Sequence, residues 1–528
     1  MSFTISHIPP DTSKPTVEWT VGQLLARAAS EAGDRLALIE GTPNRETRRR
    51  WTYRDLQAEA ERGARALLAR FEPGDHVAIV SPNMPEWTFV QLSAALAGLA
   101  LVTVNPVLRP NEIKYVLEQS ESAGAVVAGT YRGQNLEAIV TDLSAELGHL
   151  RDVIRLDDWA QIAASADPDA ELPTPSPHDP VMIQYTSGTT GLPKGAELSH
   201  YGLVNSAVFV PERLQRGAGE VWLNPLPMFH TGGCVMGTLG AMASFGAQIM
   251  VADFDPALIL QLIEEERPTY ALGVPTMVLA LLEHPDFATR DISSLEAFSS
   301  GGTTVPPTLV DRIEAELGVT YNMVMGQTES SGVIFMSHLD STTYQKSQTL
   351  GVPLMQWETM IAGDDGKPVP IGTQGEICCR GWGVMRGYYD MPEATGEAID
   401  ADGWLHTGDL GEMDADGYTR ITGRIKDMII RGGENLFPRE IEDILITHPG
   451  VAEAAVIGVP DPKWGEQPVA FIRSDGPAPS GAELTAFLRE RIAPHKVPRQ
   501  WFPIEQFPLN ASGKIQKFLL RERYDAGG

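Results

Sequence analysis

Short apolar runs alternate with helix-like stretches in two parts of the chain, and this alternation constrains the fold more than any other feature. Residues 76–80 and 101–104 are strand-like, and residues 85–99 between them have the spacing of a helix. Farther along, a helical stretch at 256–266 precedes a strand-like run at 270–273. Strands that are separated by helices are typical of parallel sheets built from βαβ units. The sequence therefore predicts an α/β fold.

Changes in composition divide the 528 residues into several predicted units. Residues 164–180 contain five prolines and four acidic residues, which is typical of a linker between two lobes. After about residue 350, glycines and short strands dominate. We therefore expect a large N-terminal domain over 1–424 and a small α+β C-terminal domain over 425–528. Within the large domain we expect two βαβ-type lobes at about 1–175 and 176–350, and a β-rich subdomain at about 351–424.

The charge balance excludes several classes of partner. The chain carries 41 basic and 69 acidic residues, a net charge of −28. An acidic chain binds nucleic acid and anionic membranes poorly, so we expect no nucleic-acid partner. Residues 1–15 lack the basic and apolar regions of a signal peptide, and the apolar stretch 89–108 is too interrupted for a membrane span. We therefore expect a cytoplasmic protein.

Cysteine and histidine usage gives no sign of a structural metal site. The three cysteines are Cys234, Cys378 and Cys379. Their number is odd and two are adjacent, so we expect neither a disulfide framework nor a Cys-rich zinc site. A reducing, intracellular setting fits this usage. The histidines are scattered along the chain without metal-ligand spacing.

A loop rich in glycine, serine and threonine spans residues 185–195, directly after a strand-like run at 181–183. Glycines allow close backbone approach, and successive amide and hydroxyl groups can surround an anion. Lys194 adds a positive charge. A P-loop would need Gly-Lys followed by Ser or Thr, but Lys194 stands between Pro193 and Gly195. The sequence therefore predicts a phosphate-binding loop of another kind, with a flexible surface loop as the alternative.

This loop resembles the signature of the acyl-adenylate-forming (ANL) superfamily, the AMP-binding enzymes, which includes acyl-CoA synthetases, adenylation domains and luciferases. The resemblance extends from about residue 20 to 522. The loop at 431–435 and the C-terminal motif at 512–517 look most like those of bacterial fatty-acyl-CoA ligases. Six further motifs follow in the family's order: Phe229-His230-Thr231-Gly232-Gly233, Ser300-Gly301-Gly302-Thr303, Gly326-Gln327-Thr328-Glu329, Trp404-Leu405-His406-Thr407-Gly408-Asp409, Gly423-Arg424-Ile425-Lys426-Asp427 and residues 510–517.

The resemblance implies an ATP site with Mg²⁺. Glu329 and Thr186 would hold the metal, since Mg²⁺ favours hard oxygen ligands. Asp409 would accept hydrogen bonds from the ribose hydroxyls, and Lys514 would neutralise charge at the α-phosphate and the acyl carboxylate. The implied ATP-binding residues are Thr186, Ser187, Gly188, Thr189, Thr190, Gly191, Lys194, Gly301, Gly302, Thr303, Gln327, Thr328, Asp409, Arg424 and Lys514.

Several of these residues also have a plainer interpretation. The Thr328-Glu329 pair is often a helix start, and Asp409 is a common turn residue. Arg424 could form a surface salt bridge with Asp427, and Lys517 is a rival to Lys514. Where many family members place an aromatic residue against adenine, this chain has Met325, whose thioether can also lie against a ring.

The resemblance also implies a second active conformation. Lys426 occupies the hinge, about which the small mobile C-terminal domain would rotate between two half-reactions. Rotation would remove Lys514 and bring Arg431, Gly432 and Gly433 to the site, where the glycines leave room for CoA. Lys496 and Arg499 are further candidates for the phosphates of CoA. The implied acyl pocket contains Phe229, His230, Gly232, Gly233, Met325 and Gly326, and His230 is either a catalytic contact or a structural histidine.

Taken together, the motifs imply an acyl-CoA synthetase that uses ATP to form an acyl-adenylate and then transfers the acyl group to CoA. The implied pocket is Gly-, Ser- and Met-rich, which favours a medium- or long-chain fatty acid and also fits an aromatic or polycyclic acid. A separate acyl carrier protein is an alternative acceptor, and a non-catalytic nucleotide- or acyl-binding protein is the alternative from a different class. A lipid substrate would bring the enzyme to the membrane surface, and the sequence leaves monomer and homodimer open.

Overall fold

The computed structural model describes residues 3–186, 192–301, 305–432, 434–509 and 515–526. Within these residues the chain forms four main sheets with helices packed around them. The expected α/β class is confirmed, and no described helix is long and apolar enough to cross a bilayer.

A seven-stranded sheet contains the phosphate-loop strands. Its central strands are parallel, and the strand Ala100–Val104 is buried along its whole length, as expected for a sheet that is covered on both faces. Helices Pro85–Leu96, Pro110–Gln119 and Leu136–Glu146 connect the parallel strands. In spatial order the strands are Gly387–Tyr388, Lys194–Ser199, Pro180–Thr186, Ala100–Val104, His76–Val80, Gly124–Val127 and Asp152–Arg155.

A nine-stranded sheet carries two further predicted ATP-site segments, Gly301 at the end of Ala297–Gly301 and Gly326–Glu329 directly after Thr320–Met325. Helices Pro256–Glu266, Pro275–Leu282 and Pro307–Leu317 pack beside it, each with a proline in its first turn, where the missing N–H costs nothing. In spatial order the strands are Val352–Pro353, Phe335–Met336, Thr320–Met325, Ala297–Gly301, Tyr270–Gly273, Val221–Asn224, Ala247–Val251, Leu36–Gly41 and Arg50–Thr52.

Two smaller, mostly antiparallel sheets complete the fold. The first is the β-rich sheet of His7–Ile8, Glu358–Ala362, Gly375–Arg380, Leu405–Met413 and Thr419–Arg424. The second is a C-terminal sheet of Glu434–Leu436, Ile429–Arg431, Gly465–Arg473, Glu453–Asp461 and Trp501–Pro503. Helices Pro438–Leu445, Gly481–Arg489 and Lys517–Asp525 belong to the C-terminal part.

The remaining helices are Val21–Ala32, Tyr53–Leu68, Trp159–Ala164, His200–Arg213, Gly240–Ala243, Thr343–Gln348 and Pro392–Ala398, with a π-helix at Gly232–Leu239. A short hairpin joins Thr130–Tyr131 to Gln134–Asn135.

The sheets exchange chain segments across the expected lobe boundary. Strand Leu36–Gly41 precedes that boundary, but it pairs with Ala247–Val251 in the nine-stranded sheet. Strand Pro180–Thr186 follows it, but it pairs with Ala100–Val104 in the seven-stranded sheet. Residues 165–179 are irregular, as expected for a linker. They lie, however, between Asp152–Arg155 and Pro180–Thr186, which are both strands of the seven-stranded sheet. The expected lobe-to-lobe linker is therefore a connection within one sheet.

Candidate active site

The two strands that flank the phosphate loop bring its ends together. Thr186 closes one strand and Lys194 opens the next, and the two residues are antiparallel partners. The Thr186 hydroxyl lies 3.5 Å from the Lys194 carbonyl oxygen, which it can reach as a donor. Nine of the predicted site residues lie outside the described residues: Ser187, Gly188, Thr189, Thr190, Gly191, Gly302, Thr303, Gly433 and Lys514.

Tyr388 connects the loop lysine to the predicted metal ligand. The Lys194 Nζ atom lies 4.9 Å from the centroid of the Tyr388 ring, a cation–π distance. The Tyr388 hydroxyl donates a hydrogen bond of 2.8 Å to Glu329 Oε1. Burial raises the pKa of Tyr388, with Glu329 acting in the same direction, so the hydroxyl keeps its proton and remains a donor. The Glu329 carboxylate is thus held in a fixed position beside Lys194.

Two glycines of the predicted motifs stand where a side chain would collide with backbone. A Cβ at Gly326 would lie 1.6 Å from the Gly332 carbonyl oxygen, and one at Gly301 would lie 2.0 Å from that of Val324. Backbone atoms cannot move aside as a flexible side chain can. Both glycines are therefore required for the close packing of the strand ends that form this part of the site.

Gln327 links the Gly326–Glu329 turn to the predicted ribose-binding residue. Its side-chain amide donates to the Thr407 carbonyl oxygen at 2.9 Å and lies 3.4 Å from Asp409 Oδ2. Asp409 is only 3% exposed, and Arg424 Nε donates to its Oδ1 at 2.8 Å. A buried carboxylate with fixed donors on both oxygens is paired rather than isolated, as a buried charge must be. Arg424 therefore pairs with Asp409, and not with Asp427 as a simple surface bridge would.

Lys426 lies on the 3₁₀ turn Ile425–Asp427, next to these charges. The side chain of Lys426 is exposed at the surface. Partial desolvation by neighbouring atoms nevertheless lowers the pKa of Lys426, and the positive charge of Arg424 lowers it further. Asp409 and Glu329 act in the opposite direction, which places the lysine within electrostatic range of both carboxylates.

The predicted acyl-pocket segments are neighbours. Phe229 accepts a hydrogen bond from Thr103 through its carbonyl oxygen, at 2.9 Å, and His230 is exposed, with Nδ1 accepting from the Gly232 amide at 3.1 Å. A Cβ at Gly332 would lie 3.7 Å from Thr231, which places the 229–233 segment beside the turn that follows Gly326. Gly232 and Gly233 begin the π-helix Gly232–Leu239. π-Helical turns are frequent at functional sites.

Met325 is 8% exposed and belongs to an apolar cluster around Trp357. Its side chain is therefore part of the core at the end of the strand Thr320–Met325. Its predicted contact with adenine and its place in the acyl pocket stay predictions.

The predicted CoA residues lie on the C-terminal sheet. Arg431 is 8% exposed, stacks over the Trp464 ring at 5.1 Å, and donates through Nη1 to the His495 carbonyl oxygen at 3.1 Å. Gly432 has a φ of +63°, the left-handed region that glycine adopts readily, and its amide donates to the Trp464 carbonyl oxygen at 2.7 Å. Lys496 forms an ion pair with Glu440 at 2.7 Å. The contacts described for these residues all lie within the C-terminal part.

The arrangement suits a polyanionic ligand that carries a diol. Lys194, Arg424 and Lys426 supply positive charge, and Asp409 supplies a buried acceptor. The sequence-predicted residues Lys194, Glu329, Gln327, Asp409 and Arg424 are brought together by two contact chains. Tyr388 was missed by sequence reasoning, although it follows directly after Arg386-Gly387 in a predicted β-rich stretch.

The chain is similar to known proteins over nearly its whole length. Residues 25–389 match the AMP-binding enzyme family, and residues 440–514 match the AMP-binding enzyme C-terminal domain. The chain is 39% identical over 535 residues to YngI of Bacillus subtilis (strain 168), whose name assigns it to the acyl-CoA synthetases, with 96% of this chain and 97% of that protein covered. It is 34% identical over 558 residues to the mitochondrial medium-chain acyl-CoA ligase ACSF2 of Macaca fascicularis, with 99% and 90% covered.

A solved structure is similar along nearly the whole chain. The crystal structure of ATP-bound MatB from Rhodopseudomonas palustris superposes with a TM-score of 0.87 and 29% sequence identity, covering 95% of this chain and 99% of that one. The family matches together span far more than half of the 528 residues. The chain therefore belongs to the AMP-binding enzyme family, the acyl-adenylate-forming superfamily whose motifs its sequence carries in order.

Proposed function

We propose that this protein is an acyl-CoA synthetase that acts on medium-chain fatty acids. It is an ATP-dependent, AMP-forming acid–thiol ligase: the acid and ATP give acyl-AMP and pyrophosphate, and CoA then takes the acyl group. The observation that carries the proposal is the pair of contact chains that meet at the Gly326–Glu329 turn. One runs from Lys194 through Tyr388 to Glu329, and the other from Gln327 through Asp409 to Arg424.

Mg²⁺ would be held by Glu329 and Thr186. The donor set fits, since a carboxylate and a hydroxyl are hard oxygen ligands and Glu329 is already oriented by Tyr388. When bound, Mg²⁺ supplies positive charge to the triphosphate. Lys194 adds to that charge from the chain, and Asp409 holds the ribose through its buried carboxylate. Positioning and charge stabilisation are the main demands of such a reaction.

The two half-reactions differ in the position of the small domain, which begins after the boundary at 424/425. We place the hinge at Lys426, with the small domain 425–528 rotating between an adenylating and a thioester-forming arrangement. Lys514 serves the first, where it neutralises charge at the α-phosphate. The rival lysine is engaged elsewhere, because Lys517 Nζ pairs with Glu442 at 2.7 Å within the small domain. Arg431, Gly432 and Gly433 serve the second arrangement by admitting CoA.

The choice of acid follows from the pocket segments around Phe229 and Gly326. They carry small and apolar side chains, and each buried CH₂ contributes about 0.8 kcal/mol, or roughly fourfold in affinity. A hydrocarbon chain therefore gains more from such a pocket than a polar acid does. The name of the mammalian relative, a medium-chain acyl-CoA ligase, supports this chain length. We place the enzyme in the cytoplasm, where it would meet lipid substrates at membrane surfaces.

The function is tested by pyrophosphate release from Mg-ATP across a panel of acids. The panel should contain saturated fatty acids of short, medium and long chain, together with aromatic and polycyclic acids, each with and without CoA, and products should be identified by mass. We expect CoA-dependent turnover to be highest with medium-chain fatty acids and to give a thioester. Preference for a ring acid would overturn the proposed substrate.

The acceptor is tested in the same assay. Acyl-AMP that accumulates without acceleration by CoA would point to an acyl carrier protein as acceptor. Absence of pyrophosphate release with every acid would favour a non-catalytic binding protein.

A further inference from the structure

A histidine, a cysteine and a glutamate meet on the β-rich sheet, next to the ATP-site turn. Cys378 and His406 are directly opposite on neighbouring antiparallel strands, and Glu376 lies two residues before Cys378, on the same face. His406 Nδ1 lies 2.7 Å from Glu376 Oε2 and 3.6 Å from Cys378 Sγ. One ligand atom from each of the three residues lies within 4.8 Å of the other two. Nitrogen, sulfur and oxygen donors thus converge on one point.

Two neighbouring groups flank these donors, the Asp400 carboxylate and the Gly408 amide. His406 Nε2, the other ring nitrogen, lies 3.7 Å from Asp400 Oδ2. Metal-binding histidines commonly direct their second nitrogen to a carboxylate, which fixes the tautomer. The Gly408 amide donates to Glu376 Oε1 at 3.0 Å, which leaves Oε2 directed at the cluster. Neither of these two contacts involves the three proposed ligand atoms, His406 Nδ1, Cys378 Sγ and Glu376 Oε2.

We propose that Glu376, Cys378 and His406 form a binding site for a thiophilic divalent cation of the Zn²⁺ class. Zn²⁺ accepts sulfur, nitrogen and oxygen ligands in tetrahedral geometry. Tetrahedral bond lengths give a sulfur–nitrogen separation of about 3.6 Å, as found between Cys378 and His406. The carboxylate oxygen and Nδ1 would move apart by about 0.7 Å to reach the corresponding separation. The fourth position is left to solvent, since His406 and Glu376 are partly exposed.

Binding requires one proton to leave. The short contact from Nδ1 to Glu376 identifies Nδ1 as the protonated ring nitrogen in the metal-free protein. On binding, the Cys378 thiol gives its proton to solvent and the thiolate becomes a ligand. To act as a ligand, Nδ1 gives up its proton, which moves to Nε2, the ring nitrogen that faces Asp400 Oδ2 at 3.7 Å. The site is distinct from the predicted Mg²⁺ ligands, Glu329 and Thr186, and does not depend on the proposed function.

The test uses the full-length protein, stripped of metal by a chelator and titrated with Co²⁺ without nucleotide. We expect one equivalent to bind and to give a near-ultraviolet thiolate-to-cobalt absorption band, which Zn²⁺ abolishes by competition and Mg²⁺ does not. Cys378→Ser should remove the band, His406→Gln should weaken binding at least about tenfold, and Asp400→Asn should weaken it about tenfold.

Cys379→Ala is the matched control, because Cys379 is adjacent in sequence but packs in a separate apolar cluster. It should keep the band and the affinity. Absence of the band in the wild-type protein, or a band that persists in Cys378→Ser, would overturn the proposal. If Cys378→Ser does not fold, His406→Gln decides, since unchanged cobalt affinity in that variant would also overturn it.

Discussion

Tyr388 shows how one side chain can join two motifs that are far apart in sequence. Its ring lies beneath the Lys194 ammonium group, and its hydroxyl holds Glu329, which is 59 positions away. Tyr388 is a positioning residue, because it acts on the predicted ligands of phosphate and metal rather than on the substrate. Its contribution should therefore appear as a changed metal requirement.

Replacing Tyr388 tests this role. In Tyr388→Phe we expect the ring contact with Lys194 to remain and the hydrogen bond to Glu329 to be lost. A hydrogen bond to a charged group contributes about 1.5 kcal/mol, so pyrophosphate release should fall about tenfold at low Mg²⁺. High Mg²⁺ should recover most of the loss. The measurement is the rate of pyrophosphate release as a function of Mg²⁺ concentration.

The neighbouring Tyr389 provides the control. Its hydroxyl donates to Glu121 at 2.8 Å, away from Glu329. Tyr389→Phe should leave the Mg²⁺ dependence unchanged. An equal loss for Tyr388→Phe at all Mg²⁺ concentrations would contradict the positioning role.

At this scale, sequence reasoning finds residues that lie in short continuous motifs. Glu329, Asp409 and Arg424 were predicted in this way, and the structure brings them into connected contacts. Tyr388 was missed because its partners come from other segments. The cluster around His406 was missed for the same reason. Metal-ligand spacing was sought along the chain, whereas pairing of neighbouring strands brings Cys378 opposite His406.

At the scale of elements, a buried histidine connects two helices. His200 is 1% exposed at the start of the helix His200–Arg213, and its Nδ1 accepts a hydrogen bond of 3.2 Å from the Val21 amide. Val21 begins the helix Val21–Ala32, whose first amides need acceptors. Burial lowers the pKa of His200 to about 4, against a smaller opposing effect of Asp179. The ring must stay neutral at Nδ1 to keep this contact.

His200 should make stability depend on pH. Between pH 6.5 and about 4 the unfolded protein binds a proton at this residue and the folded protein does not. Stability is therefore complete above pH 6.5 and declines as the pH falls through this window, by about 3 kcal/mol in total. In His200→Asn the amide oxygen replaces Nδ1 as acceptor without titrating. We expect the urea midpoint of this variant to fall less than that of the wild type between pH 7 and 5.

His178 provides the matched control, since its side chain is 62% exposed, in contrast to the buried His200. His178→Asn should keep the wild-type dependence on pH. Parallel pH profiles for the wild type and His200→Asn would contradict the linkage.

Element prediction succeeded where local rules decide the conformation. The helix Pro256–Glu266 and the strand Tyr270–Gly273 were predicted at their observed bounds. A proline opens the helix, and Pro268 and Pro275 flank the short apolar strand. The helix expected at 85–99 ends at Leu96, before Gly98 with its φ of +68°. Strands of two residues, such as His7–Ile8, carry no period and were missed. Their pairing is set by tertiary structure.

At the scale of the whole molecule, the small domain has its own core. Ile441, Leu445, Val456 and Leu484 are buried together within the C-terminal part. The proposed rotation about the 3₁₀ turn Ile425–Asp427 would move this unit as one body. The two half-reactions should therefore be separable by substitutions on that domain.

Lys514→Ala should abolish acyl-AMP formation and leave CoA attack on supplied acyl-AMP largely intact. The loss should exceed about a hundredfold, as expected when a charge that stabilises the transition state is removed. Lys517→Ala is the control, because Lys517 is paired with Glu442. Quench-flow measurement of each half-reaction gives the answer, and an equal loss in both would refute the division of labour.

The reciprocal variant, Gly433→Trp, should block thioester formation and spare a burst of acyl-AMP. Bulk in this loop would fill the space that the resemblance assigns to CoA. Gly476→Trp is its control, since a Cβ at Gly476 has no heavy atom within 4 Å. Normal thioester turnover by Gly433→Trp would contradict the assignment.

The exchange of strands between the sheets has a consequence for biosynthesis. The strand Leu36–Gly41 is synthesised well before its partner strand Ala247–Val251. The strand His7–Ile8 is likewise synthesised well before its partner Glu358–Ala362. At ordinary translation rates this delay is on the order of tens of seconds. During that time the nascent N-terminal segment presents unpaired strand edges and apolar side chains. These two strands are thus made well before the partners that cover them, and their exposed edges favour aggregation until those partners arrive.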